Sequence, residues 1–186
     1  MRIIEAKKEL RKQMQSTRDS LKSNPKEKYD NWICDSLIKL VAEKGYQSVH
    51  VYLPMGSEIN INPFIQYALD NKITVIAPKT LARPNLENRK LTSLTALEKG
   101  VYGTVHPSNP EIYNGEIDLI VIPGLAIDKN NYRLGYGGGY YDTFLTQYPA
   151  AKKVGIYYPF QLVDKVPTEP HDMQLDLALI NPVLSL

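Results

Sequence analysis

The chain predicts a layered α/β fold, a mostly parallel central sheet flanked by helices in a Rossmann-like topology, and three features carry that expectation. Five short runs, "SVHVYLP" (48–54), "ITVIAP" (73–78), "DLIVIPGLAI" (118–127), "KVGIYY" (153–158) and "LDLALI" (175–180), are almost continuously apolar, as strands buried on both faces are. Helical patterns fall before and between them, the alternation that parallel pairing requires. Turn residues punctuate the junctions, and 186 residues suit one domain covering 1–186.

Residues 3–22 repeat Ile3, Ala6, Leu10, Met14, Thr17 and Leu21 at the spacing of a helix whose apolar face meets the core. "SNP" (23–25) interrupts it: Ser or Asn can cap, and Pro suits the first turn of a second helix running from about Pro25 to Glu43 and stopping at Gly45. "NPFIQYALDNK" (62–72) starts on its own Pro and reads as a short helix between the first two strands. "ARPNLENRK" (82–90) is the most loop-like segment, and "LTSLTAL" (91–97) is a further strand candidate. A last helix is expected in or just after a glycine run, through "YYDTFLTQY".

Composition excludes several classes. With 43% hydrophobic and 23% charged residues the chain is ordinary for a soluble globular protein, and its apolar runs fall far short of the roughly 20 residues that span a bilayer. The N-terminus lacks the apolar centre of a signal peptide, so the mature protein is expected to start near Met1 and to be cytoplasmic. Cys34 is the one cysteine, which excludes an internal disulfide and a Cys-rich metal site. It sits in a helical pattern as a small buried hydrophobe. Residues 1–30 hold nine Lys/Arg against five Asp/Glu, so with +2 overall the remainder stands at −2. That local excess suits an anionic small molecule rather than nucleic acid or a membrane, and a monomer is expected.

In open parallel sheets ligands bind beyond the carboxyl ends of the strands. "LPMGSE", "APK", "PGLAIDKNNYRLGYGGGYYD" and "YYPFQ" therefore belong to one rim. The densest is "RLGYGGGYYD" (133–142). A Walker A loop would need Lys then Ser or Thr where Tyr140 and Tyr141 stand, and a dinucleotide fingerprint begun at Gly135 would need glycine in place of Tyr140. Neither motif is present, but the physics is shared. Gly135, Gly137, Gly138 and Gly139 let an anion approach the backbone, and a helix starting near Tyr140 would aim free N–H groups at it. Arg133 offers a fork for phosphate or carboxylate, Asp142 a hard oxygen for Mg²⁺, and the tyrosines flat faces for a heterocycle. A tight connection covered by tyrosines would account for the glycines alone. The combination with Arg133 and Asp142 favours a ligand site.

"PGLAIDKNNYRLGYGGGYYDTFL" closely resembles the signature of the 5-formyltetrahydrofolate cyclo-ligase family, also called 5,10-methenyltetrahydrofolate synthetases. Further family elements follow in order: Lys7, Leu10 and Arg11 for K-x-x-L-R, "VYLPMGSEIN" for the substrate strand and turn, Pro78 with Lys79, and "HDMQLD" near the end. The resemblance implies a carbon–nitrogen-forming ligase that converts 5-formyltetrahydrofolate and ATP to 5,10-methenyltetrahydrofolate, ADP and phosphate with Mg²⁺. It implies ATP binding by Lys7, Arg11 and Arg133, Leu134, Gly135, Tyr136, Gly137, Gly138, Gly139, Tyr140 and Tyr141. Folate binding would fall to Leu53 and Glu58 together with Tyr136 to Tyr140, and metal binding to Asp142 and Asp172. Arg133 and Tyr141 would be catalytic. The chain departs from the family pattern at Gly138 and Thr143, where many members carry Lys and Arg, at His106, and at Asn131, which replaces a glycine but tolerates positive φ.

Taken singly these residues have plainer roles. Lys7 and Arg11 would form a solvated basic face, Glu58 an exposed loop carboxylate, and Asp172 a turn cap beside His171. His50 and His106 have no metal partner at useful spacing and are given no catalytic task. The rival from another class is a noncatalytic nucleotide-binding or regulatory protein on the same scaffold.

Overall fold

A computed structural model describes residues 3–82 and 84–184; Met1, Arg2, Arg83, Ser185 and Leu186 lie outside the described residues. In chain order the elements are α1 (Ile3–Asp19), α2 (Ser23–Lys44), β1 (Ser48–His50), α3 (Asn62–Asp70), β2 (Thr74–Thr80), β3 (Leu86–Lys90), β4 (Leu97–Lys99), β5 (Val105–Pro107), β6 (Leu119–Ile122), β7 (Ala126–Asp128), β8 (Arg133–Leu134), α4 (Tyr140–Leu145), β9 (Lys152–Ile156), β10 (Leu162–Val163) and β11 (Leu177–Leu179). Six strands form the main sheet in the order β11-β9-β6-β1-β2-β3. All its pairings are parallel except β2 with β3. The parallel strands thus follow a doubly wound 2-1-3-4-5 arrangement, whose switch point lies between β1 and β6.

Alternation along β6 shows why both sheet faces must be covered. Leu119 and Val121 join Val49, Val75 and the α2 and α3 residues Ile33, Leu37, Phe64 and Ile65 on one face. Ile120 and Ile122 face the other way, against Phe144 and Leu145 of α4. α2 ends at Gly45, whose φ of 65° lets its N–H close on Val41 O. α3 carries Pro at its first turn.

Several elements differ from expectation, each for a visible reason. "DLIVIPGLAI" is two strands, because Pro123 and Gly124 turn the chain out of the main sheet after β6. β7 then pairs antiparallel with β8 and parallel with β10 in a separate three-stranded sheet. The loop-like 82–90 contains β3, whose Leu86 and Asn88 are buried on alternate positions while its other face stays polar at the sheet edge. "LTSLTAL" is irregular through residue 93 and turn or bend at 94–96; only Leu97 begins a strand, the short β4 paired with β5. Neither Ser23 nor Asn24 caps α2, since the N-cap is Lys22 without a side-chain bond. Asn131 does take φ 60°, and the Asp128 carboxylate accepts from the N–H groups of Asn130 and Tyr132 to hold that turn.

α1 stands apart from the main sheet and packs on the small one, Met14 meeting Leu125, Ala126, Leu134 and Val166. Its buried residues are Lys7, Met14 and Arg18, so the apolar face the periodicity predicts is inward only in part: Met14 is buried and Leu10 packs beside it, while Ile3 is half-exposed and Thr17 exposed. Lys7 and Arg11 turn inward because a cavity lies beneath their part of the helix, and Arg18 because Ser57 and Tyr136 accept from it.

Candidate active site

The segments that follow the carboxyl ends of β1 and β6, at Leu53 and Pro123, open into a cavity of about 760 Å³. This is the position that a switch point between those strands dictates. Every candidate residue lines it: Lys7 and Arg11 from α1, Leu53 and Glu58 after β1, the whole stretch Arg133 to Asp142, and Asp172. Pro78 lines it as well, while its neighbour Lys79 does not.

The glycine run forms the floor between β8 and α4. Gly137 has φ 98° and Gly139 φ 69°, a region open to glycine and strained for a side chain. Arg11 lies over Gly137 so closely that a Cβ there would sit 3.1 Å from Arg11 Cζ. Its Nε donates to Gly135 O at 2.9 Å. α4 begins at Tyr140, as expected, with Gly139 as its left-handed N-cap.

Charge is arranged in three groups. Lys7 is 7% exposed, and its Nζ lies 2.6 Å from Asp172 Oδ2 and 2.9 Å from Glu169 Oε2. Burial opposes the ammonium, but those hydrogen bonds outweigh it and raise the Lys7 pKa above the usual lysine value. The Asp172 carboxyl is likewise desolvated, yet the Lys7 bond and the Glu169 N–H hold it below the usual carboxylate range. Arg133 Nη2 pairs with Asp142 Oδ1 at 3.0 Å, and its guanidinium lies 5.7 Å from the Tyr141 ring centroid. Arg11, among the described residues, has no acidic partner.

Two buried polar atoms beside this cluster, Arg133 Nε and the Tyr141 hydroxyl, have no hydrogen-bond partner among the described residues. Buried donors left unpaired are costly and in a cavity wall point to a ligand. Burial and the charge of Glu58 push the Tyr141 pKa well up, so the phenol stays protonated.

Glu58 is buried, and its oxygens accept from Met55 N at 2.9 Å and from the Tyr136 hydroxyl. That second bond joins the turn after β1 to the glycine run. Burial foremost, and then the Glu58 charge, raise the Tyr136 pKa strongly.

Sequence reasoning missed several lining residues. Glu169 stands three residues before Asp172 and carried no signal beyond that adjacency. Tyr102, exposed and at φ 56° in the tight turn between β4 and β5, also borders the cavity. A non-glycine in that conformation is a structural oddity that no local pattern announced. His50, given no task, is fully buried, and neither ring nitrogen has a hydrogen-bond partner among the described residues; desolvation lowers its pKa to about 3. His106 is buried too, with Nδ1 3.0 Å from Pro107 O.

Fold and cavity together define a doubly wound α/β protein with a large site at its switch point, lined by glycines and paired charges on one side and by the buried carboxylate of Glu58 on the other. Residues 3–181 match the model of the 5-formyltetrahydrofolate cyclo-ligase family, and the chain belongs to that family. A 5-formyltetrahydrofolate cyclo-ligase of Mycoplasma pneumoniae is 30% identical over 173 residues, 91% of this chain and 95% of that one. The mouse protein of the same name is 28% identical over 76% of this chain and 78% of its own. Among solved structures, the 5,10-methenyltetrahydrofolate synthetase of Aquifex aeolicus superposes with a TM-score of 0.81 at 29% identity, covering 94% of this chain and 89% of that one. The Mycoplasma pneumoniae synthetase gives 0.76 at 29% identity, with 92% and 96% covered.

Proposed function

We propose that this protein closes 5-formyltetrahydrofolate to 5,10-methenyltetrahydrofolate, consuming ATP and releasing ADP and phosphate. The observation that carries the reading is the union, in one cavity, of a cation-bordered glycine run with a buried carboxylate, joined through Tyr136. A polyphosphate and a flat heterocycle can then lie side by side.

The chemistry needs that adjacency. The formyl oxygen is an amide oxygen and a poor leaving group. It attacks the γ-phosphorus, an O–P bond forms, and the bond from phosphorus to the departing ADP breaks. N10 then attacks the activated carbon, the C–O bond breaks with phosphate leaving, and the N10 proton is lost. A protein assists such transfer by positioning and by neutralising charge. Arg11 and the glycine-run amides hold the phosphates, Lys7 sets Asp172, and Arg133 meets the transferring group with Tyr141 as a neutral donor. Glu58 accepts from the pterin's amino and ring N–H groups.

Asp142 and Asp172 fit a Mg²⁺ site. Each lines the cavity with one oxygen already drawn to a cation, and among the described residues no cluster of three His, Cys, Asp or Glu is set to hold a metal alone. Mg²⁺ takes one or two carboxylates together with phosphates and waters, and would neutralise phosphate charge here. A cytoplasmic monomer completes the reading; among the described residues no helix is long and apolar enough to cross a membrane.

The test is to mix the protein with ATP, Mg²⁺ and 5-formyltetrahydrofolate and follow the near-ultraviolet absorbance of the methenyl product. Product formation that requires ATP is expected. Retention of ATP without product would overturn the reading and leave a nucleotide-binding protein.

A further inference from the structure

Arg18 ends a chain of contacts that leads to Glu58 without touching the large cavity. It is 6% exposed and lines only a small void of about 10 Å³ behind Glu58, with Tyr52, Gly124 and Gln161. Its Nη1 donates to the Tyr136 hydroxyl at 2.8 Å, and its Nε to Ser57 Oγ at 3.0 Å. The Tyr136 hydroxyl, with its proton free of that bond, donates onward to Glu58. Ser57 donates to Asp19, so the guanidinium is locked at both ends.

This arrangement answers a physical problem. Glu58 is a buried carboxylate, and among the described residues no cation lies within ion-pair distance of it. A buried charge needs compensation. Among the described residues the one cation connected to it by hydrogen bonds is Arg18, acting through the phenol it polarises. Glu58 can still serve a ligand, because an ionised carboxylate has about four lone-pair sites and only two are used.

We propose that Arg18 is a positioning residue for the folate: by holding the Tyr136 hydroxyl it fixes and compensates Glu58, so that the pterin meets a rigid, charged acceptor. The proposal rests on the reading of Glu58 as the pterin's partner. Arg18 does so from the same helix that brings Lys7 and Arg11 to the nucleotide end, yet its own effect falls on the folate.

Steady-state kinetics of Arg18→Ala, Arg18→Lys, Tyr136→Phe, the Arg18→Ala/Tyr136→Phe double variant and Glu58→Gln test this. Arg18→Ala should raise KM for 5-formyltetrahydrofolate roughly tenfold or more, as loss of a hydrogen bond from a charged donor does, with KM for ATP changed less than about threefold. Tyr136→Phe should act in the same direction, and the double variant should be no worse than the worse single one, because both cut one chain. Arg18→Lys keeps the charge without the fork and should fall between wild type and Arg18→Ala. An unchanged folate KM in Arg18→Ala, while Glu58→Gln loses folate binding, overturns the proposal and spares the Glu58 reading. Equal losses for both substrates with additive effects and a lowered Tm overturn it in favour of simple helix docking. An unchanged folate KM in Glu58→Gln removes the reading beneath it.

Discussion

Gly137→Ala isolates what the glycine run does. At φ 98° an alanine is strained by about 1–3 kcal/mol. Its Cβ would meet Arg11 at 3.1 Å from Cζ, 3.3 Å from Nη2 and 3.4 Å from Nε, so the guanidinium must retreat by a few tenths of an ångström. That retreat pulls on the 2.9 Å bond from Arg11 Nε to Gly135 O, a charge-assisted contact worth about 1.5–3 kcal/mol. If the loop relaxes instead, the amides lose the shape that receives phosphate. Either route puts the loss in the ligand-ready loop at about 1.5–3 kcal/mol, or a rise in KM for ATP of roughly 10- to 150-fold. Gly45→Ala is the control. It has φ 65° at the end of α2 and open space where the Cβ would go, so it carries similar backbone strain away from the cavity. For a domain of this size each kcal/mol shifts Tm by roughly 2–4 °C. Both variants should therefore melt lower, but only Gly137→Ala should weaken ATP, as read by initial rates at saturating folate. Equal ATP affinities in the two variants would refute the reasoning.

Other outcomes follow from the same contacts. Asp142→Ala leaves the buried Arg133 without its acid, and Arg133→Ala removes the cation; each should lower kcat by roughly 100-fold or more with circular dichroism unchanged. Near-full activity in either would remove that residue from the site. The depressed Asp172 carboxyl gives stability that is present above its unfolded value of about 4 and is lost as pH falls through the folded value. The raised Lys7 gives stability that is present below its unfolded value of about 10.4 and is lost as pH climbs through the folded one. Tm profiles of Lys7→Met/Asp172→Asn should accordingly be flatter than wild type at both extremes. His50, lowered to about 3, binds a proton only when unfolded between there and about 6.5, so it weakens the fold as pH drops through that window. His50→Phe should make the acid slope shallower and cost little at pH 7, since neither nitrogen has a partner among the described residues. An unchanged slope would mean that the imidazole is protonated in the folded protein.

How much of this was legible in the sequence depends on where the information lies. The five parallel strands were legible because a strand covered on both faces must be apolar throughout, as Leu119 to Ile122 is, and even the half-buried edge strand Leu177–Leu179 keeps an apolar run. β3 was not, because at an edge one face needs little apolar content: "LENRK" has one apolar residue and takes its register from β2. Pro123 and Gly124 were visible as turn residues, yet apolar composition on both sides hid the change of sheet. The glycine run was legible from its own residues, since only glycine readily takes the positive φ found at Gly137 and Gly139. Glu169, Tyr102 and Arg18 were not, because their roles exist only across sequence separations that no local pattern records.

α1 is the sharpest case. Helical periodicity assigns a buried face by counting apolar residues, on the premise that what lies beneath a helix is a core. Beneath the first half of α1 the protein keeps a cavity instead, and only Met14, with Leu10 beside it, meets the apolar wall of the small sheet. The residues that turn inward are those with partners there: Lys7 toward Glu169 and Asp172, Arg11 toward Gly135, Arg18 toward Ser57 and Tyr136. The docking of this helix is thus largely electrostatic, and several of its partners belong to the stretches proposed to hold the two substrates. A nucleotide or folate that engages those partners changes what holds α1 in place. Salt should therefore loosen α1 in the free protein more than in the doubly liganded one, a difference that hydrogen exchange of the α1 amides would measure. Equal protection at low and high salt in the free protein would mean that Met14 and Leu10 suffice to seat the helix, and the inward cations would then have no part in docking it.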